Sequence, residues 1–89
     1  MRIARVTGTA TASVKAPGLS GLKLLVLDLE DGAGGPGPRG IVAADTVGAG
    51  VGERVILAEG SAARLPAATA GQPVDAAVIA ILDRVDRTE

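Results

Sequence analysis

Four aspartates, Asp28, Asp45, Asp75 and Asp83, are the side chains here from which a catalytic carboxylate pair or a hard-metal site could be built. Lys15 and Lys23 are the cations an anionic ligand could seek. Asp45 and Asp75 stand beside turn segments, where a carboxylate oxygen commonly accepts backbone N–H bonds, so a structural role is expected for both. The two lysines also sit beside turns, singly, and are expected to be solvated. Histidine and cysteine are absent. That removes the usual neutral-pH acid/base, the usual metal ligands and every Ser-His or Cys-His nucleophile pair. Disulfides are excluded with them, and a reducing compartment suits the chain. No constellation for catalysis remains, and neither a cofactor nor a metal is expected.

Composition narrows the field further. There is no Phe, Tyr or Trp, so the aromatic platform on which small β-barrels stack single-stranded bases cannot be built. Nine Lys and Arg stand against ten Asp and Glu, a net charge of −1, which gives no general attraction to nucleic acid or anionic lipid. The opening residues Met1-Arg2-Ile3-Ala4-Arg5-Val6 lack the apolar stretch of a signal peptide. The longest apolar run, Ala76 to Leu82, is far too short to span a bilayer. The expectation is a soluble cytoplasmic protein. At 89 residues it forms a single domain, 1–89, with a thin core.

The elements that must carry these residues read as short strands. Residues 2–13 alternate, with Ala4, Val6, Gly8, Ala10 and Ala12 on one side and Arg5, Thr7, Thr9 and Thr11 on the other. Lys15 to Gly21 is a turn. Leu22 to Glu30 is a strand with Leu25, Leu27 and Leu29 on one face and Leu22, Leu24 and Val26 on the other. Asp31 to Gly40, rich in Gly and Pro, is expected to hold neither a ladder nor a helix and to form an exposed, mobile loop. Strands follow at Ile41 to Ala44 and Glu53 to Glu59, separated by a tight path through Gly48, Gly50 and Gly52. Ser61 is placed as the N-cap of a helical turn through Arg64, ended by Pro66, with Ala67 to Pro73 as a connecting loop. Ala76 to Asp86 is taken as a strand because Val78, Ile79, Ile81 and Val85 are β-branched. Val78, Ala80 and Leu82 would share one face, and Ala77, Ile79, Ile81 and Val85 the other.

Five short strands and one small helix suit an all-β fold, a small OB-like antiparallel β-barrel. A barrel uses one face of each strand for its interior. The second apolar faces of Leu22 to Glu30 and Ala76 to Asp86 therefore need another partner, most economically a second copy of the chain in a closing head-to-tail ring. Leu24, Val26, Ile79, Ile81 and Val85 are the candidate subunit-interface residues. An OB-type ligand- or nucleic-acid-binding module is the alternative, and a small carboxylate-dependent hydrolase or lyase a second one.

Five segments in order resemble a known family. They are Met1-Arg2-Ile3-Ala4-Arg5-Val6-Thr7-Gly8, Gly21-Leu22-Lys23-Leu24-Leu25, Ala43 to Glu53, Gly60-Ser61-Ala62-Ala63-Arg64, and Pro73 to Ile79. The family is that of the pentameric vertex proteins of bacterial microcompartment shells, as in carboxysomes and ethanolamine-type metabolosomes. The resemblance covers nearly the whole chain except Asp31 to Gly40 and the last residues. It implies a cyclic homopentamer of OB-like barrels that caps the five-fold vertices of a shell, with no chemistry performed. The implied partners are the chain itself and the hexameric and pseudohexameric shell tiles, with no nucleic acid and no membrane. Gly60, Ser61, Ala63 and Arg64 resemble the family's Gly-Ser-x-Ala-Arg signature, which implies contact with an adjacent hexameric tile. Gly48, Ala49 and Gly50 are small enough to line a pore on the five-fold axis.

Overall fold

The computed structural model describes residues 1–11, 21–30 and 35–84. Five strands, β1 (Arg2–Ala10), β2 (Leu24–Leu29), β3 (Ile41–Asp45), β4 (Arg54–Glu59) and β5 (Ala76–Ile81), close into a barrel in the order β1-β2-β3-β5-β4. All neighbouring pairs are antiparallel except β3 with β5, which run parallel through Ala44 opposite Ala77 and Asp45 opposite Val78. The expected small OB-like antiparallel barrel is borne out, with that one ladder parallel. Strand directions cannot alternate all the way round a closed barrel of five strands, so a neighbouring pair must run parallel, and the insertion of β5 between β3 and β4 makes it β3 and β5. A 3₁₀ turn, Gly60–Arg64, follows β4 directly.

Alternation along the strands fills the interior with small aliphatic side chains. Ala4 and Val6 of β1, Leu25, Leu27 and Leu29 of β2, Ala43 of β3, Val55 and Leu57 of β4, and Ala76 and Val78 of β5 form the core, with Ala49 added from the β3–β4 loop. No aromatic ring is present, and Leu is the largest side chain in it. The alanines on β1, β3 and β5 keep the lumen narrow enough for leucine to fill.

Two register shifts break the simple alternation. Val6 pairs with Leu27 but Gly8 pairs with Val26, so Thr7 is an extra residue on β1. Directly paired residues point to the same face. Gly8 and Ala10 therefore lie on the outer face, opposite Val26 and Leu24, and only Ala4 and Val6 of the expected inward set face the core. Ala12 lies outside the described residues. On β5, Leu57 pairs with Val78 and Ile56 with Ala80, so Ile79 is the extra residue. Ile81 then stands opposite the core residue Val55, and the expected shared face of Ile79 and Ile81 is corrected.

The stretch after β2 also departs from expectation. Glu30 bridges Pro36, the Gly37 N–H donates to the Leu29 carbonyl at 2.8 Å, and the Leu29 N–H donates to the Pro38 carbonyl at 2.7 Å. Residues 35–40 thus pair back onto the end of β2 instead of lying free. Proline permits this because its carbonyl still accepts although it has no N–H to donate. Residues 31–34 of the expected loop lie outside the described residues.

Candidate functional site

The outer surface of the barrel divides into three parts, and each follows from side-chain size. In the middle, Ala44, Ala77 and Ala58 stand side by side across β3, β5 and β4, all buried although they face away from the core. The methyl groups of Ala58 and Ala77 let the Gly60–Arg64 turn lie close on β4 and β5, and Ala63 of that turn is fully buried.

The turn is held at several points. The Gly60 N–H donates to the Asp75 carbonyl at 2.8 Å. The Arg64 Nη1 donates to the Val74 carbonyl at 2.9 Å. The fully buried Thr69 hydroxyl donates to the Ala63 carbonyl at 2.6 Å. The expected Ser61 cap is corrected: Glu59 occupies the N-cap position, extended at φ −127°, and no side-chain cap bond is made. Gly60 adopts φ +66°, a left-handed conformation that glycine takes at little cost, and the turn starts two residues earlier than a Ser61 cap would place it. Gly60, Ser61 and Arg64 are exposed. Ala63 is buried within its own chain, so its part in any tile contact is to anchor the turn. The role of Thr69 escaped the sequence reading. Its signal was a Thr three residues after Pro66, a spacing at which a hydroxyl bonds local carbonyls.

Beside the turn, Arg2 grips Glu59 with two bonds, Nε to Oε1 at 2.7 Å and Nη2 to Oε2 at 2.9 Å. The guanidinium holds the Glu59 carboxyl below the usual carboxylate range, the hydrogen bonds contributing most. A second bidentate pair, Arg54 with Glu30 at 2.9 and 2.7 Å, braces β4 to the end of β2.

Two apolar patches flank this covered middle. On the β2–β3 side, Leu24 and Val26 are half-buried and Val42, opposite Val26, is 48% exposed. Leu24 and Val42 border a groove of about 170 Å³ shared with Pro73, Val74 and Asp75. On the β4–β5 side, Met1, Ala62, Leu65, Pro66 and Ile79 surround a hollow of about 420 Å³, with Met1 87% and Leu65 82% exposed. Of the candidate interface residues, Leu24 and Val26 thus lie in the first patch and Ile79 in the second. Ile81 sits exposed at the end of β5, and Val85 lies outside the described residues.

The loop from Asp45 to Gly52 is ordered from within. One carboxylate oxygen of Asp45 accepts the N–H groups of Val47, Gly48 and Ala49 at 3.1, 3.0 and 3.3 Å. The Lys23 Nζ reaches the Ala49 carbonyl at 3.1 Å and stands 3.8 Å from the other Asp45 oxygen. Lys23 is therefore engaged within the chain and not simply solvated, while Lys15 lies outside the described residues. Ala49 is fully buried in the core, which leaves Gly48 and Gly50 as the outward members of the candidate pore stretch. Asp28 accepts the Gly40 N–H at 3.2 Å, and Asp75 and Asp83 are exposed. Among the described residues no three acidic side chains gather as a metal site would require, and no helix is long and apolar enough to cross a membrane.

Comparison with known proteins agrees with a surface built for assembly. Residues 1–83 match a family model described as ethanolamine utilisation protein EutN/carboxysome. The carboxysome shell vertex protein CcmL of Gloeobacter violaceus is 52% identical over 85 residues, 96% of this chain and 85% of that one. The microcompartment shell vertex protein EutN of Salmonella typhimurium is 42% identical over 85 residues, 96% of this chain and 86% of that one. Among solved structures, the pentameric microcompartment shell protein GrpN of Rhodospirillum rubrum superposes with a TM-score of 0.87 at 39% identity, covering the whole of both chains.

Proposed function

This chain belongs to the ethanolamine utilisation protein EutN/carboxysome family, and we propose on that premise that it is a structural shell protein whose pentamers cap the five-fold vertices of a bacterial microcompartment in the cytoplasm. The observation that carries the reading is the pairing of two facts. Relatives covering nearly its full length are shell vertex proteins or a pentameric shell protein, and this chain exposes two separate apolar patches that a lone barrel has no use for. A ring built head to tail needs two different patches on each subunit, and it closes when the rotation between them allows.

The contact with hexameric tiles is assigned to Gly60, Ser61 and Arg64, with Ala63 as their anchor. The turn is tied to the loop before β5 at both ends, so it presents a fixed edge. Arg64 uses one N–H on Val74, and its remaining donors suit carbonyls or carboxylates across an interface. The interface within the ring is assigned to Leu24, Val26, Ile79, Ile81 and Val85, and an axial pore to the Gly48–Gly50 backbone. No catalysis is assigned: the carboxylates are dispersed, and Asp45 is fully used in ordering its own loop.

Native mass spectrometry of the purified chain tests the ring, with a mass five times that of the chain expected. Co-expression of an Arg64→Ala variant with the hexameric tile protein tests the seat. Rings that stay intact but leave shells uncapped are expected. Normal capping by that variant would withdraw the tile contact from Arg64.

A further inference from the structure

We propose that the exposed rim of the Asp45–Gly52 loop is a cation-binding surface of peptide carbonyls that turns anions away, so that an axial opening lined by it favours cations. The inference deepens the pore reading and rests on it only for bringing five copies of the loop around one axis. The chemistry of the rim belongs to the single chain.

That chemistry follows from where the loop's N–H groups point. Val47, Gly48 and Ala49 all donate to one oxygen of Asp45, and the next N–H, that of Gly50, donates to Glu53 Oε1 at 2.6 Å. Successive N–H groups that converge in this way form a concavity suited to an anion. Here the chain fills it with its own carboxylate, on a side chain only 3% exposed. An anion arriving from outside finds every N–H of residues 47–50 already engaged.

A trans peptide unit is planar, with its C=O directed opposite to its N–H. The carbonyls of Thr46, Val47 and Gly48 are therefore aimed away from the Asp45 carboxylate, on the side where Val47 and Gly48 are exposed. None of the three accepts a hydrogen bond from a described residue. Each peptide carries a dipole of about 3.5 D, and these three add with their negative ends outward. The carbonyls farther along are used within the chain: Lys23 Nζ donates to that of Ala49 at 3.1 Å, and Arg5 Nη1 to that of Gly52 at 2.6 Å. A methyl built on Gly48 would meet no atom within 4 Å, so the space beside its carbonyl is open. Converging backbone oxygens of this kind replace the water around a monovalent cation.

Crystals of the full parent chain soaked in rubidium bromide test this, because the two ions scatter anomalously at different X-ray energies and are located separately. Rubidium is expected in contact with the Val47 and Gly48 carbonyls, with no bromide against the N–H groups of residues 47–50. Bromide at those N–H groups, or no rubidium at the rim, would overturn the proposal. So would rubidium spread evenly over the chain's other exposed carbonyls with no preference for this loop. The same crystals show where the loops stand. Loops held away from a five-fold axis, or a parent that forms no five-fold ring, would instead overturn the pore reading, while the ion positions still decide the chemistry of the rim.

Discussion

Replacing Asp45 by alanine removes one acceptor from three backbone donors at once. The Val47 and Gly48 N–H groups are near solvent and can be rehydrated, whereas the Ala49 N–H is partly buried above the core. Hydrogen bonds to a charged acceptor contribute about 1.5–3 kcal/mol each when their donors cannot find water, and about 0.5–1 kcal/mol when they can. The ion pair with Lys23, at 3.8 Å with the lysine half exposed, adds little. A loss of about 2.5–5 kcal/mol is expected for Asp45→Ala. It should be smaller for Asp45→Asn, which keeps a carbonyl oxygen in the same place. With a urea slope of about 2 kcal/mol per M, the alanine variant should lose roughly 1–2.5 M in its unfolding midpoint. The assay is urea unfolding followed by far-UV circular dichroism at one fixed protomer concentration, since ring assembly couples to folding. The chain has no Trp or Tyr, so concentration must come from peptide absorbance. An unchanged midpoint for Asp45→Ala would refute the claim that this carboxylate organises the loop.

Leu27→Ala, at a fully buried site on the middle of β2, should cost about 3–5 kcal/mol in the same assay because the narrow lumen has no larger side chain to collapse into the space. Gly37→Ala would put a methyl 2.8 Å from the Leu29 carbonyl oxygen; the pairing of residues 35–40 onto β2 must shift, at a cost of about 1–3 kcal/mol, readable as a lower midpoint. Glu59 has its carboxyl pKa lowered by Arg2, so its contribution is present above the usual carboxylate range and lost as pH falls through the lowered value. Melting temperatures of the parent and of Glu59→Gln should therefore differ at pH 7 and converge in acid, and a constant difference would contradict the assignment.

Much of the barrel was legible because each strand carries its own period. Leu25, Leu27 and Leu29 alternate with Leu24, Val26 and Asp28, and the structure buries the first set and leaves the second at the surface. Both surface patches began as the same observation, apolar residues on a strand's second face. The two extra residues were illegible, because a register shift at Thr7 or Ile79 depends on the partner strand and leaves no mark in local alternation. That a closed barrel of five strands must contain a parallel pair follows from the odd number, but that the pair is β3 with β5 depends on β5 being inserted between β3 and β4, which local alternation does not mark. Ser61 misled because its type favours capping, but Gly60 can take the positive φ that starts the turn earlier. Residues 35–40 misled through composition alone, since Gly and Pro discourage a ladder yet Gly37 and Pro38 supply the one N–H and one carbonyl that Leu29 needs.

Imaging of shells assembled with and without the chain bears most directly on the vertex assignment. Co-expressed with the hexameric tile protein, the chain should yield closed particles whose five-fold corners hold one ring of five copies each, and shells made without it should show those corners open. Closed corners in the absence of the chain, or the chain found in the facets or the interior instead of at the corners, would contradict the account.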